Sequence, residues 1–483
     1  MSIKPDEKDV RIKRLKELKA AGIDPYPASF KLSHKLSEAI NLKVGKTGVS
    51  LGGRVVGKRS MGKITFLHLQ DGSGRMQVAV RVGEADAKSV SLLKKYIDLG
   101  DFIGVTGKIF KTKRGEITLD SKKVTLLSKA LRPLPEKFHG LKDQELRYRK
   151  RYLDLVSSEE TRELFRRRSL FIKNLRAAMD ESDFLEVETP VLEHVPGGAE
   201  AKPFVTHHNT LDIDLYLRIS LELHLKRLLV GGIDRVYEIG KVFRNEGMST
   251  EHLQEFTMFE FYQANADYED LMKFTEKMVS SVIKKTFGTL KFEIDGQSIN
   301  FKAPWPRVEY SKIFKKATGL DLAKVTEVQL RAYAKKIKVK VEKHAGAGRL
   351  IDQIYKARIR PGMIGPIFLI NHPVLISPLA KKIPGQDDFT QRFHMILNGS
   401  EIINAYSELN DPIDQRERFD AQAKLRKAGD LEAMPPDEDF VIALEHGMPP
   451  TAGWGMGLDR LFMMLSGQDS VRDVVLFPTM KPE

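Results

Sequence analysis

Arginine, glutamate and tyrosine fall at alternate positions in two neighbouring stretches, VYEIGKVFRNE (236–246) and EFTMFEFY (255–262). Period-two geometry sets Val242, Arg244 and Glu246 on one strand face, and Phe256, Met258, Glu260 and Tyr262 on one face of the other. Paired as an antiparallel hairpin over 236–263, the two faces form a wall holding a guanidinium and a carboxylate. The planar fork of arginine donates two parallel hydrogen bonds and suits a phosphate or a carboxylate. Glu260 stands between Phe259 and Phe261, and burying it is costly unless a cation or a set of donors meets it. A structural ion pair between Arg244 and Glu260 is the plainer alternative.

Three further stretches carry the same kind of signal. EIINAYSELND (401–411) alternates Ile402, Asn404, Tyr406 and Glu408, within a second expected hairpin over 392–409. RISLELHLKRLL (218–229) ends a strand and begins a helix with Glu222 near its start, where a carboxylate is favoured by the helix dipole and is also placed to accept an ammonium. PPTAGWGMGLDRLFMMLSG (449–467) has Gly453, Gly455 and Gly457 ahead of a helix pattern on Leu458, Leu461, Phe462 and Leu465. Those glycines permit close backbone approach. Arg460 falls in the first helical turn, an unfavourable place for a cation unless an anion arrives. The segment lacks the GK[ST] of a phosphate-binding loop and the GxGxxG of a dinucleotide fold.

The elements that must position these groups belong to a chain of 483 residues, enough for two or three domains. Its 41% apolar and 30% charged residues fit a globular enzyme. The absence of cysteine excludes disulfides, thiolate metal sites and cysteine nucleophiles. A net charge of +14 favours a polyanionic partner. No run of about 18 apolar residues suggests a membrane span, and the charged start MSIKPDEKDVRIKRLKEL has no signal-peptide core. A cytoplasmic protein without a membrane partner is expected.

Along the chain, 1–48 reads as a helical extension whose lysines and arginines could touch nucleic acid. Residues 49–130 hold five short β-branched runs punctuated by glycine, which predict a small closed barrel of the oligonucleotide-binding kind. Phe66 and His68 share a strand face there, with Gln77 on a neighbouring strand and Lys58 and Arg59 in the adjoining turn. An aromatic beside cations can stack bases and attract phosphates; Phe66 inside the barrel core is the alternative. A proline-punctuated linker follows over 131–156, and 157–483 reads as a larger α+β domain in which FLEVETPVLE forms a strand stopped by Pro190.

Taken together, these motifs resemble the class II lysyl-tRNA synthetases over essentially the whole chain. FLEVETPVL is similar to the first class motif, usually a dimer interface. FRNEG with EFTMFEFY resembles the second, and GMGLDRL the third. RPLPEKFHGLKDQELRYRKRYLDL, PGGAEAKPFVTHHN, SPLAK and NAYSELNDP resemble lysine-specific parts.

The resemblance implies an α+β fold with a class II catalytic domain built on an antiparallel sheet, preceded by a five-stranded anticodon-binding barrel. It implies ATP and lysine as substrates, Mg²⁺ as cofactor, tRNA(Lys) as partner and a homodimer. Arg244 and Arg460 would be catalytic. Gly198, Glu222, Arg244, Glu260, Tyr262, Asn404, Tyr406 and Glu408 would bind lysine. Arg244, Glu246, His252, Phe256, Glu401 and Arg460 would bind ATP, with Glu401 and Glu408 on the metal. Lys58, Arg59, Phe66, His68 and Gln77 would meet the anticodon.

One residue departs from the family pattern: His394, in RFHMILNGSEII, stands where many members carry a metal-binding carboxylate. Imidazole is a poor ligand for a hard cation. Strict alternation also sends Glu401 to the face opposite Glu408, which a bulge would resolve. Rival readings are an aspartate or asparagine enzyme of the same class, a lysyl-transfer enzyme acting on protein, and a non-catalytic nucleic-acid-binding protein. An anionic side chain would want a cation facing it, and Glu260 and Glu408 favour the opposite.

Overall fold

The computed structural model describes residues 6–135, 141–341, 345–427 and 435–482. Residues 1–5 of the expected extension, 136–140 of the expected linker, and 342–344, 428–434 and 483 of the expected large domain lie outside the described residues. The chain divides into two compact units, 1–142 and 143–483.

In the first unit, helix α1 (Glu7–Ala20) begins at Asp6, whose side chain accepts from the Lys8 amide, and Gly22 at φ +69° ends it. It is not a free basic arm. Arg11 is buried and donates to the carbonyls of Leu99, Ala130 and Arg132, and Arg14 ion-pairs with Asp98.

Strands β1 (Val49–Met61), β2 (Ile64–Gln70), β3 (Arg75–Arg81), β4 (Phe102–Lys111) and β5 (Ile117–Ser128) close in the ring β1-β2-β3-β5-β4. Helix α2 (Ala87–Lys95) lies between β3 and β4. Alternation makes the barrel: Leu51, Val55, Leu67, Leu69, Val78, Val80, Ile103 and Val105 turn inward to one core. Phe66 opposes Arg59 and Ala79, lies outside that core and is only partly buried. His68 pairs with Gln77 two positions along the same outer face.

Lys58 and Arg59 lie within β1 rather than in a turn, and they separate by parity. Arg59 shares the outer face with Phe66, whereas the Lys58 ammonium donates to the carbonyls of Leu93 and Ile97 at the end of α2. Lys58 therefore serves as a helix C-terminal cap.

The second unit is built on eight strands. These are β6 (Leu185–Glu186), β7 (Arg235–Phe243), β8 (Glu255–Ala264), β9 (Arg307–Glu309), β10 (Ile367–Ile370), β11 (Arg392–Leu397), β12 (Ser400–Ser407) and β13 (Thr451–Gly457). Their order across the sheet is β9-β10-β11-β12-β13-β8-β7-β6, antiparallel apart from the β9–β10 and β6–β7 pairs. Both expected hairpins are present as β7–β8 and β11–β12. FLEVETPVLE is shorter in strand than expected. Only Leu185–Glu186 and Leu192–Glu193 are strand, because Pro190 interrupts it. Of the expected linker, 143–156 folds as short helices of this unit, and buried Arg151 bonds the carbonyls of Arg472, Val475 and Leu476.

One face of the sheet is apolar. Phe259, Phe261, Trp454, Met456, Ile403, Ala405, Phe393 and Met395 are all buried there, with helices α3 (Glu159–Asp180) and α5 (Tyr268–Phe287) contributing to the same core; α4 is Glu222–Val230 and α6, Leu458–Leu465, follows β13. Trp454 stacks on Phe261 at 4.9 Å, and its indole N–H donates to Thr275 Oγ1 at 2.9 Å. Each large aromatic buried this way removes much apolar surface from water, which fixes which face of the sheet is left to be polar.

The parity of β2 can be tested by denaturant unfolding. Leu67→Ala should cost about 2–5 kcal/mol, and Phe66→Ala less than about 1 kcal/mol. Equal losses would return Phe66 to the core.

Candidate functional site

The opposite face of the sheet is where the charged residues gather. Register places Met258, Glu260 and Tyr262 of β8 beside Gly457, Gly455 and Gly453 of β13, and Gly455 and Gly453 beside Asn404 and Tyr406 of β12. Arg392 and His394 of β11 pair with Tyr406 and Asn404. Gly453, Gly455 and Gly457 lie in a strand rather than in a loop before the helix. Along TAGWGMG the large side chains enter the core and the glycines leave a floor without side chains. The resulting cleft has a volume of about 590 Å³. A Cβ at Gly453 would stand 2.1 Å from Glu408 Oε1 and 2.3 Å from the Tyr262 ring.

The acidic end of the cleft is anchored by a lysine that sequence reasoning did not single out. Lys226 lies one turn after Glu222 in α4 and is completely buried. Its Nζ is 2.5 Å from Glu222 Oε1 and ion-pairs with Glu408 Oε2. Burial alone would lower its pKa, but the two carboxylates more than offset this and raise it. The ELHLK spacing, an i,i+4 acid–base pair among leucines, was the available signal. Tyr406 Oη donates to Glu222 Oε1 at 2.7 Å. Among the described residues, Glu408 Oε1 is buried without a hydrogen-bond partner.

Glu260 does not pair with Arg244. Its Oε1 accepts from Ser220 Oγ at 3.1 Å and the Leu221 amide at 3.2 Å, and its Oε2 from Tyr262 Oη at 3.2 Å. Burial, reinforced by the charge of Glu222, pushes its carboxyl up to about 7. Gly198, at φ +79°, packs so that a Cβ would stand 2.9 Å from both Ser220 Oγ and Glu222 Cβ. Its backbone thus lies against the same acids.

The basic end lies toward the β7–β8 loop. β7 stops at Phe243, so Arg244 begins the loop, and its Nε donates to the Ile219 carbonyl at 3.2 Å. Its guanidinium lies over the Phe256 ring at 5.3 Å, and burial lowers its pKa. Glu246 does not continue a strand face with Val242; it is exposed, while Val242 is buried. Arg460, in the first turn of α6, donates through Nη1 to the Glu401 carbonyl at 2.7 Å and through Nη2 to His252 Nε2 at 3.0 Å.

A bulge resolves the parity of Glu401. Met395 pairs with Ile403 and Ile396 with Glu401, leaving Ile402 as the extra residue. Ile402 therefore joins the apolar core instead of sharing a face with Asn404, and Glu401 lines the cleft. Glu408 and Glu401 do not form a metal-binding pair, since the Lys226 ammonium already contacts Glu408. Among the described residues no group of three or more histidines and carboxylates is arranged to hold a metal ion. No helix among them is long and apolar enough to cross a membrane. Besides Lys226, Ser220 and Arg392 are site residues missed in the sequence; Arg392 stands two positions before His394, on the same strand face.

Comparison with known proteins agrees with this geometry. The family model of class II tRNA synthetases (D, K and N) matches residues 143–481, and that of the OB-fold nucleic acid binding domain matches residues 49–127. The lysine–tRNA ligase of Carboxydothermus hydrogenoformans is 49% identical over 477 residues, 98% of this chain and 97% of that one. Those of Moorella thermoacetica and Bacillus subtilis are each 48% identical, covering 98% and 99% of this chain and 97% of their own.

The raised carboxyl of Glu260 gives a pH-dependent stability. Between its ordinary value of 4.5 and about 7 the folded chain holds a proton that the unfolded chain has released. Stability from this group is thus fully present below pH 4.5, falls as pH rises to about 7, and is level above. Unfolding free energies of Glu260→Gln and the parent chain should diverge over that window by up to about 3 kcal/mol in favour of the variant. Parallel curves would remove the raised pKa.

Proposed function

The chain belongs to the class II tRNA synthetases of the aspartate, lysine and asparagine group, and we propose that it is a lysine–tRNA ligase whose own residues divide the work as follows. The observation that carries the reading is the acidic pocket, since Glu408 Oε1 is a buried acceptor without a donor. Glu260 and Glu408 together suit a side-chain ammonium. An aspartate side chain would need a free cation in that position, and Lys226 is already held by two acids; a neutral asparagine amide would leave Glu260 and Glu408 without a cation to meet.

In the first step a carboxylate oxygen of lysine attacks the α-phosphorus of ATP. The bond from that phosphorus to the bridging oxygen breaks, giving lysyl-adenylate and pyrophosphate. In the second, the terminal ribose hydroxyl of tRNA(Lys) attacks the activated carbonyl and AMP leaves. No side-chain nucleophile is needed. Arg244 holds the lysine carboxylate and the α-phosphate, and Arg460 the distal phosphate, so that both neutralise developing charge. Glu222, through its oxygen not engaged by Lys226 and Tyr406, and the backbone of Gly198 receive the α-ammonium. Glu260, Glu408 and Tyr262 receive the side-chain ammonium, with Asn404 and Tyr406 walling the pocket. Glu246, His252 and Phe256 hold the nucleotide.

Glu401, a partly exposed carboxylate in the cleft, fits a Mg²⁺ arriving on ATP, because that ion needs only one or two protein carboxylates besides phosphates and water. Bound there it would neutralise charge on the departing pyrophosphate. Arg59, Phe66, His68 and Gln77 on the outer barrel face meet the anticodon. A homodimer in the cytoplasm completes the reading. It is supported by exposed Leu185 on the edge strand β6 and by exposed Val191, Leu192 and Val205 nearby in sequence, an apolar display that a second copy would cover.

ATP–pyrophosphate exchange against each of the twenty amino acids, with Mg²⁺ and without tRNA, tests the assignment. Lysine alone should support exchange; exchange with another amino acid, or with none, overturns it. Gly453→Ala should raise the KM for lysine about tenfold or more, while that for ATP changes less than about threefold. Equal changes in both would detach Glu408 from the lysine pocket.

A further inference from the structure

His394 is buried in the cleft wall, and its surroundings determine which of its nitrogens carries the proton. Arg392 Nη2 lies 2.9 Å from His394 Nε2. A guanidinium only donates, so Nε2 accepts and the proton of the neutral ring sits on Nδ1. Arg392 is itself fixed, because its Nε donates to Asn404 Oδ1 at 2.9 Å and its Nη1 to Ser377 Oγ at 3.0 Å. The ring is held from the side by His372, 4.2 Å away between centroids, and His372 in turn packs on Tyr310 at 5.0 Å.

Among the described residues, Nδ1 is left as a buried donor without a hydrogen bond in line. The nearest carboxylate oxygen is Glu401 Oε2, at 3.1 Å. The distance suits a hydrogen bond, and the partly exposed carboxylate has to turn into line with the N–H to complete it. Neither nitrogen then offers a lone pair to a cation: one accepts from Arg392 and the other carries a proton.

We propose that His394 is a positioning residue and not a metal ligand: it donates to Glu401 and fixes a carboxylate that this chain presents to the divalent cation carried by ATP. The proposal rests on the ATP-binding reading above. Asn404, Arg392, His394 and Glu401 form a chain of donors and acceptors ending at that carboxylate. Such outer partners orient a ligating oxygen and set its affinity without touching the ion. The site then differs from a two-carboxylate site in charge, binding the cation with one negative group supplied by the protein and the rest by phosphate.

Mn²⁺ serves as a paramagnetic probe, titrated by electron paramagnetic resonance into the full chain with lysine and a non-hydrolysable ATP analogue. His394→Asn keeps an N–H donor near the Nδ1 position and should bind Mn²⁺ within about threefold of the parent chain, whereas His394→Ala should bind about tenfold more weakly or worse. His394→Glu, adding a second carboxylate, should bind about tenfold more tightly. Spin-echo modulation of bound Mn²⁺ should be the same in the parent chain and His394→Asn.

A nitrogen coupling that disappears in His394→Asn, together with a loss of affinity equal to that of His394→Ala, would make His394 a ligand and overturn the proposal. Lysine-dependent exchange by the parent chain is measured on the same samples. Its absence would defeat the functional reading, whereas its presence with the imidazole coupling would defeat only the role given to His394.

Discussion

A single buried ammonium underlies the cleft. Lys226 Nζ bridges Glu222 and Glu408 from below, with Tyr406 and Phe440 rings about it at 5.6 Å. Two carboxylates brought this close under the surface would repel each other and take up protons. With the lysine between them one oxygen of each is engaged, while Glu408 Oε1 lies buried against Gly453, where a Cβ would stand 2.1 Å from it. The proposed substrate pocket thus carries an internal copy of the charge it is meant to receive. Recognition consists of adding a second ammonium to an arrangement already organised around a first.

The glycine strand is what gives that arrangement room. In β13 Gly453, Gly455 and Gly457 carry no side chain, and Trp454 and Met456 between them are sealed into the aromatic core. Tight packing behind and vacancy in front arise from the same seven residues. The polar groups on β8, β12 and β11 can converge because nothing on the strand between β8 and β12 stands in the way. β8 keeps the same parity and β12 does so from Ile403 onward, so Phe259, Phe261, Ile403 and Ala405 enter the core while Glu260, Tyr262, Asn404 and Tyr406 line the cleft.

Much of this was legible beforehand, and the failures have identifiable causes. Alternation in EFTMFEFY and NAYSE located the walls because period two is imposed by the strand itself. It failed for Glu246, where the strand had ended, and for Ile402, where an extra residue shifts the count. TAGWGMG was read through its glycines as a prelude to a helix, although Trp454 and Met456 between them carried the strand signal. Lys226 was overlooked because a lysine on a helix normally faces water. Only the tertiary approach of Glu408, 182 positions later in sequence, makes its burial tolerable. In the barrel, Lys58 was grouped with Arg59 by proximity in sequence, whereas adjacent strand residues point to opposite sides.

The Ile402 bulge has a consequence for how this site can vary. Side chains on β12 are assigned to cleft or core by counting from the bulge, and Glu401 reaches the cleft because the extra residue is taken up there. Regular pairing of the same residues without the bulge would exchange the two faces at the start of the strand and carry a carboxylate into the apolar interior, whereas loss of Ile402 itself would leave a regular ladder with Glu401 still toward the cleft. The face that Glu401 takes is therefore held by the bulge rather than by simple alternation, and a shortening by one residue at that point trades the bulge for regular pairing without moving the carboxylate.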